Sequence, residues 1–226
     1  MRIGIFGGVF NPIHFGHLRA AEEVRTALDM DRVMFVTAAR PPHKSLEIAA
    51  ASDRLKMVQD AIRDNPNFIS SSLELNRPAA SFSIHTIEEL RGNYPSAEFC
   101  FVMGIDAFLD FSTWLQPEKI LSLSDIAIIS RPPFGFDRIA DSPFLTKITG
   151  GELDSLKDGK TRMIKKSSTA GRKIYLTNIT PLGISSTLIR KLVKNGGSIK
   201  YLLPAAVESY ILSNKLYGGS MGHTGG

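Results

Sequence analysis

The sequence predicts an α/β fold: one three-layer domain, a mostly parallel twisted sheet with helices on both faces. Three observations carry this. Short apolar runs recur at residues 2–6 (RIGIF), 32–37 (RVMFVT), 98–104 (EFCFVMG), 125–131 (DIAIISR) and 173–177 (KIYLT). Runs of this kind read as strands covered on both faces. Helical periodicity fills most of the intervals, and that alternation is the pattern of a parallel sheet. The first strand also meets the first helix in a glycine-rich turn, GGVFNPIHFGH at residues 7–17.

That turn organises the rest of the chain. The opening amides of a helix have no internal partner and point outward, so a strand–helix junction is a natural phosphate site. Gly7 and Gly8 let the backbone come close to a ligand. Gly16 leaves room beside two imidazoles. His14 and His17 are three apart, so both rings can face one pocket if the helix starts near His17. Only five histidines occur in the chain, and two of them at one glycine-rich junction point to function rather than to surface chance.

In order, the first helix is expected at 17–28 and a second strand at 32–37. A loop, AARPPHKSLEIA, leads to a helix at 52–63. Lys44 lies in that loop, beyond a strand end, which is the edge where ligands bind in open α/β sheets. Residues 68–75 form a weaker strand candidate. Ser83 is expected to cap a helix reaching residue 91, with Ile84, Ile87 and Leu90 as its apolar stripe. The strand at 98–104 ends at Gly104, and Asp106 follows. A carboxylate there can accept from ribose hydroxyls. Trp114 is the sole tryptophan. Residues 132–173 show poor periodicity and six basic but no acidic residues from 160 to 173, so they are expected to form a mobile insertion. After the strand at 173–177 comes ISSTLIR, from Ile184 to Arg190. Its Ser185, Ser186 and Thr187 open a helix with hydroxyls beside unpaired amides. Arg190 shares a face with Ser186 and can fork two bonds onto phosphate. A helix is expected at 204–216. The domain spans 1–217, and 218–226 is a flexible tail by composition.

Composition narrows the classes. The net charge of +5 suits phosphate-rich ligands and is too mild to argue for nucleic acid. One cysteine, Cys100, gives no disulfide framework, and the chain enters a strand at once, which leaves no room for a signal peptide. No apolar stretch is long enough to span a membrane. The cytoplasm is the expected compartment.

GGVFNPIHFGH resembles the first signature of the nucleotidyltransferase superfamily, H-x-G-H, here His14-Phe15-Gly16-His17. Its GG.FNP opening is most similar to the bacterial nicotinate-nucleotide adenylyltransferases. Ile184–Arg190 resembles the second signature, ISSTxxR. The resemblance implies a Rossmann-like nucleotidyltransferase fold and transfer of AMP from ATP to nicotinate mononucleotide, giving deamido-NAD and pyrophosphate. It implies His14, His17, Lys44 and Arg190 as catalytic groups. ATP would be bound by Gly7, Gly8, Val9, Phe10, Gly104, Asp106, Ile184, Ser185, Ser186 and Thr187. The pyridine nucleotide would meet Asn11, Ser83, Thr86 and Trp114, with the ring stacked on Trp114. The family usually has Thr-Ile-Asp-Thr where this chain has Ser83-Ile84-His85-Thr86, so an imidazole replaces a carboxylate. Magnesium is expected on the ATP phosphates, and no metal ligands are assigned in the chain. A homo-oligomer is allowed. Two other readings are pantetheine-phosphate adenylyl transfer or cytidylyl transfer. A non-enzymatic reading is RNA binding or regulation through the basic stretch.

Overall fold

The computed structural model describes residues 1–40, 48–77, 80–131 and 134–218. The elements run β1 (Arg2–Gly8), α1 (Phe15–Ala27), β2 (Arg32–Thr37), α2 (Ala51–Ile62), β3 (Phe68–Ser71), α3 (Ser83–Asn93), β4 (Glu98–Gly104), α4 (Ile105–Leu109), α5 (Pro117–Leu123), β5 (Asp125–Ile129), α6 (Gly150–Lys157), β6 (Met163–Ser167), β7 (Lys173–Thr177), α7 (Ser186–Lys194) and α8 (Ala205–Ser213). The seven strands form one sheet in the order β3-β2-β1-β4-β5-β7-β6. Every pairing is parallel except β6 with β7.

The apolar runs are continuous because each strand feeds two cores by turns. Ile3, Ile5, Phe99, Phe101, Ile126 and Ile128 face one side, where they meet Ile84, Ile87 and Leu90 of α3 and Ile120 of α5. Phe6, Val33, Phe35, Cys100, Val102 and Ala127 face the other, against Ala20 and Val24 of α1, Met57 and Val58 of α2 and Val207 of α8. Side chains two apart share a face, so one strand serves both layers.

The differences from expectation are local. β3 stops at Ser71, where the Ser71 hydroxyl accepts from the Leu73 amide at 3.3 Å and turns the chain away. Serine turns of this kind compete with a sheet ladder. The 132–173 stretch is more regular than its composition implied. It contains α6 and β6, and it sends Phe136, Ile139, Leu145, Leu156 and Ile164 into the core. Thr149 and Glu152 form a reciprocal capping box that starts α6. Lys166 and the Thr149 amide hold the Glu152 carboxyl down to about 2. β6 is the antiparallel edge, and its Lys165 and Lys166 suit a strand that must not recruit another. Among the described residues no helix is long and apolar enough to cross a membrane.

The sheet order places the site. β1 lies between β2 and β4, so the chain moves outward from β1 in both directions. Ligands in open α/β sheets bind in the crevice that this reversal opens at the carboxyl ends of the strands.

Candidate active site

A cavity of about 1190 Å³ occupies that crevice, and its wall includes Gly8, His14, His17, Trp114, Thr187 and Arg190. Two signatures about 170 residues apart in sequence therefore line one space. α7 is attached to the first turn by side chains. Ser186 Oγ donates to the Pro12 carbonyl at 2.8 Å, and Arg190 Nη1 donates to the Asn11 carbonyl at 2.9 Å.

α1 begins at Phe15, two residues earlier than expected, with His14 in the cap position. The rings of His14 and His17 are stacked, 3.7 Å between centroids at 25°. Phe6 and Phe10 meet the His17 ring edge-on and fix its orientation. A Cβ at Gly16 would sit 3.0 Å from His14 Nδ1 and Cε1, so the missing side chain is what admits the ring. Phe10 takes a left-handed φ of 47°, and a Cβ at Gly8 would come within 2.9 Å of its ring. Gly8 thus lets Phe10 fold back beneath the turn.

Helices α3 and α7 differ in their starts. Ser185 caps α7, its hydroxyl accepting from the Leu188 amide at 3.1 Å. Ser83 does not cap α3: Phe82 is the cap residue, with no side-chain cap bond, and Ser83 is the first helical residue. The expected N-cap role of Ser83 is therefore corrected, because the chain turns into the helix one residue earlier. Ser83, Thr86 and Trp114 line the same cavity. Thr86 Oγ1 donates to Glu74 Oε1 at 2.6 Å. The Trp114 ring packs edge-on against Phe101 and tilted against Phe111. His85 is exposed, edge-on to Phe82. Gly7, Val9, Gly104, Asp106 and Ile184 also border the cavity. Asn11 does too, but its carboxamide oxygen is engaged by the Ala49 amide at 3.1 Å and the Tyr217 hydroxyl at 2.8 Å. Lys44 lies outside the described residues.

The cytidylyltransferase-like family matches this chain over residues 5–192. The chain belongs to this family, among its nicotinate-nucleotide adenylyltransferases. A Geotalea daltonii protein named "Probable nicotinate-nucleotide adenylyltransferase" is 44% identical over 96% of this chain and 98% of its own. A Thermus thermophilus protein of the same name is 36% identical over 96% and 100%. The Plasmodium falciparum nicotinic acid mononucleotide adenylyltransferase complexed with NaAD is similar in fold, with a TM-score of 0.70 at 21% identity over 96% of this chain and 97% of that one.

Two residues that line the cavity, Arg131 and Glu74, and one that braces its glycine-rich turn from behind, Arg54, were not singled out from the sequence. Arg131 follows β5 and pairs with Asp106 at 2.8 Å. A Cβ at Gly104 would collide with the Asp106 carboxylate, so glycine there keeps the acid close to the strand end. The position of Arg131 at the carboxyl end of a parallel strand was the available signal. Glu74 is buried and gives no local signal. Arg54 is 1% exposed on α2. Its guanidinium donates to the carbonyls of Val9, Ala38, Ala39 and Ala49, which ties the glycine-rich turn to both ends of the loop that carries Lys44.

Burial, helped by the charge of Arg131, pushes the His14 imidazole down to about 4. At neutral pH His14 is therefore a neutral hydrogen-bonding ring. Its Nδ1 is buried without a partner among the described residues. The unfolded chain binds a proton near pH 6.5 and the folded chain only near 4, so stability falls as pH falls through that window. The loss is roughly 3 kcal/mol, fully present below pH 4. The His14 ring proton resonance should titrate with a midpoint near 4, and Arg131→Met should move that midpoint upward. A midpoint near 6.5 in the native chain contradicts the assignment.

Proposed function

We propose that the chain transfers the adenylyl group of ATP to nicotinate mononucleotide, releasing pyrophosphate and leaving deamido-NAD. The observation that carries this reading is the convergence of the stacked His14–His17 pair, the α7 start and the Ser83–Trp114 pocket on one cavity at the sheet's reversal point. The curated relatives at 36–44% identity support it.

The acceptor's phosphate oxygen attacks the α-phosphorus in line, and the bond to the β-phosphate oxygen breaks. No protein nucleophile is needed. Catalysis then comes from position and from donors aimed at the developing charge. His17, held by Phe6, Phe10 and His14, is assigned to the α-phosphate. His14 acts beside it as a neutral donor. Arg190 and Thr187 are assigned to the β- and γ-phosphates with Lys44. Arg190 is steadied by the Asn11 carbonyl and by Thr187 Oγ1 at 3.4 Å. Ser185 and Ser186 contribute by fixing α7, since each hydroxyl is engaged in a local or turn contact.

Magnesium fits as an ion carried chiefly by phosphate oxygens and water. Asp106 and Glu74 each give one carboxylate oxygen to a partner, Arg131 and Thr86, and leave the other buried and unpaired among the described residues. No group of three or more possible metal-ligating side chains occurs among those residues. Bound on ATP, the ion would neutralise charge on the triphosphate.

The acceptor carboxylate is assigned to the start of α3. No side chain caps that helix, and its first amides and dipole favour an anion. An amide group in the same place would set its own N–H donors against theirs, at about 1–3 kcal/mol per buried group left unpaired. A pyrophosphate-release assay tests the whole reading, with ATP or CTP as donor and the two pyridine mononucleotides or phosphopantetheine as acceptors. The expected result is turnover with ATP and a kcat/KM roughly tenfold or more higher for nicotinate than for nicotinamide mononucleotide. Pyrophosphate release only with CTP, or only with phosphopantetheine, overturns it.

Trp114→Ala is expected to raise the KM for the pyridine nucleotide by roughly 3–10-fold, the scale of one aromatic contact. The KM for ATP should change little. Equal changes in both constants would assign Trp114 to the core alone.

A further inference from the structure

The chain's end returns to the first turn. After α8, Lys215 and Tyr217 both take left-handed φ, 51° and 61°. Side chains other than glycine adopt that conformation at a cost, and it persists where surrounding contacts over-determine it. Here the contact is visible. The Leu216 amide bonds back to the Ile211 carbonyl at 3.0 Å, and the Tyr217 hydroxyl reaches Asn11 Oδ1 at 2.8 Å.

Asn11 is a junction. Its Oδ1 accepts from the Tyr217 hydroxyl and from the Ala49 amide, two residues before α2. Its main-chain carbonyl accepts from Arg190. His14 follows three residues later. We propose that Tyr217 is a positioning residue for the triphosphate site: its hydroxyl fixes Asn11, and through Asn11 the relative placement of Arg190, of Ala49 just before α2 and of the histidine turn. This rests on the adenylyl-transfer reading and extends it to a residue close to the end of the chain.

Two further features support this assignment. Burial pushes the Tyr217 hydroxyl well above its ordinary range, against the opposing charges of Arg190 and Arg54, so it remains a proton donor at working pH. Tyr217 also packs with the Val24 and Val58 side of the sheet, whereas Trp114 and the α3 start belong to the opposite core. Asn11, which the family resemblance places against the pyridine nucleotide, has its carboxamide oxygen turned to Tyr217 and Ala49 instead, so the effect should fall on ATP and spare the pyridine nucleotide.

Tyr217→Phe removes one oxygen and keeps the ring packing. In calorimetric titration its Kd for a non-hydrolysable ATP analogue should rise about 3–10-fold, the scale of one lost hydrogen bond. The Kd for nicotinate mononucleotide should stay within about twofold, and the variant should melt cooperatively. In kinetics KM for ATP should rise more than kcat falls, and Tyr217→Ala should be worse on the same axis. Unchanged ATP binding, or equal weakening of both ligands, overturns the proposal. If the variants do not fold, hydrogen exchange of the native chain decides. The ATP analogue should then protect the amides of residues 214–218 and the mononucleotide should not, and the absence of that protection overturns the proposal. A native chain that binds no ATP analogue at all instead overturns the adenylyl-transfer reading and this proposal with it.

Discussion

His17→Ala is expected to lower kcat by roughly 10²–10³, with the KM for ATP changed by no more than a few-fold. The loss is that of one preorganised donor facing charge that develops only in the transition state. In the proposed reaction, ground-state binding of the triphosphate is assigned to other groups, chiefly Arg190, Thr187 and Lys44, so KM should be spared. The ring is held by three aromatic neighbours: His14 stacked at 3.7 Å, and Phe6 and Phe10 edge-on at 6.4 and 5.3 Å. That preorganisation is why the effect should be large. His17→Asn keeps a donor on a shorter side chain and should recover part of the loss. Steady-state pyrophosphate release on correctly folded variants is the measurement. Turnover within about fivefold of the native chain would remove His17 from the α-phosphate.

How far the sequence carried the reading depended on how local each signal was. The mostly parallel sheet was legible because β1, β2, β4, β5 and β7 are apolar runs, whereas the order of the strands across it has no local mark in the sequence. The His14–His17 pair and the α7 start were legible because each is a short strand–turn–helix pattern complete in itself. The contents of 132–173 were harder to read, since α6 is only eight residues long and β6, MIKKS, is an edge strand with three polar residues of five. The Thr149-x-x-Glu152 capping box was the one local mark of that helix. Ser186 is on the cavity wall as expected of an ATP-binding residue, and its hydroxyl also donates to Pro12 across 174 positions, a contact no local pattern encodes. Tyr217 and Asn11 meet across 206 positions in the same way. Arg54 sits in a helix with Asp53, Lys56 and Asp60, where another charge reads as one more solvated residue, yet it is among the most buried side chains of the chain.

Arg54→Met is expected to destabilise the fold by roughly 3–5 kcal/mol, the scale for breaking a buried charged network. The guanidinium makes four bonds of 2.6–3.2 Å to main-chain carbonyls. Methionine fills a similar volume but donates nothing, and each buried acceptor left unpaired costs about 1–3 kcal/mol. Water entering the gap would recover part of that total, which keeps the expectation below the full sum. Burial already pulls the Arg54 guanidinium below its ordinary range, the mark of a charge held by dipoles rather than by a nearby carboxylate. Arg54→Lys retains the charge but presents a single ammonium where a planar fork reaches four acceptors, so it should lie between the native chain and the methionine variant. Because Val9 belongs to the glycine-rich turn and Ala39 and Ala49 flank the loop of Lys44, the lysine variant should also bind ATP more weakly than its stability alone implies. Urea unfolding of the three chains, with ATP titration of those that fold, measures both effects. A methionine variant within about 1 kcal/mol of the native chain would mean that water replaces the guanidinium without cost, and that Arg54 does not hold the two loops together.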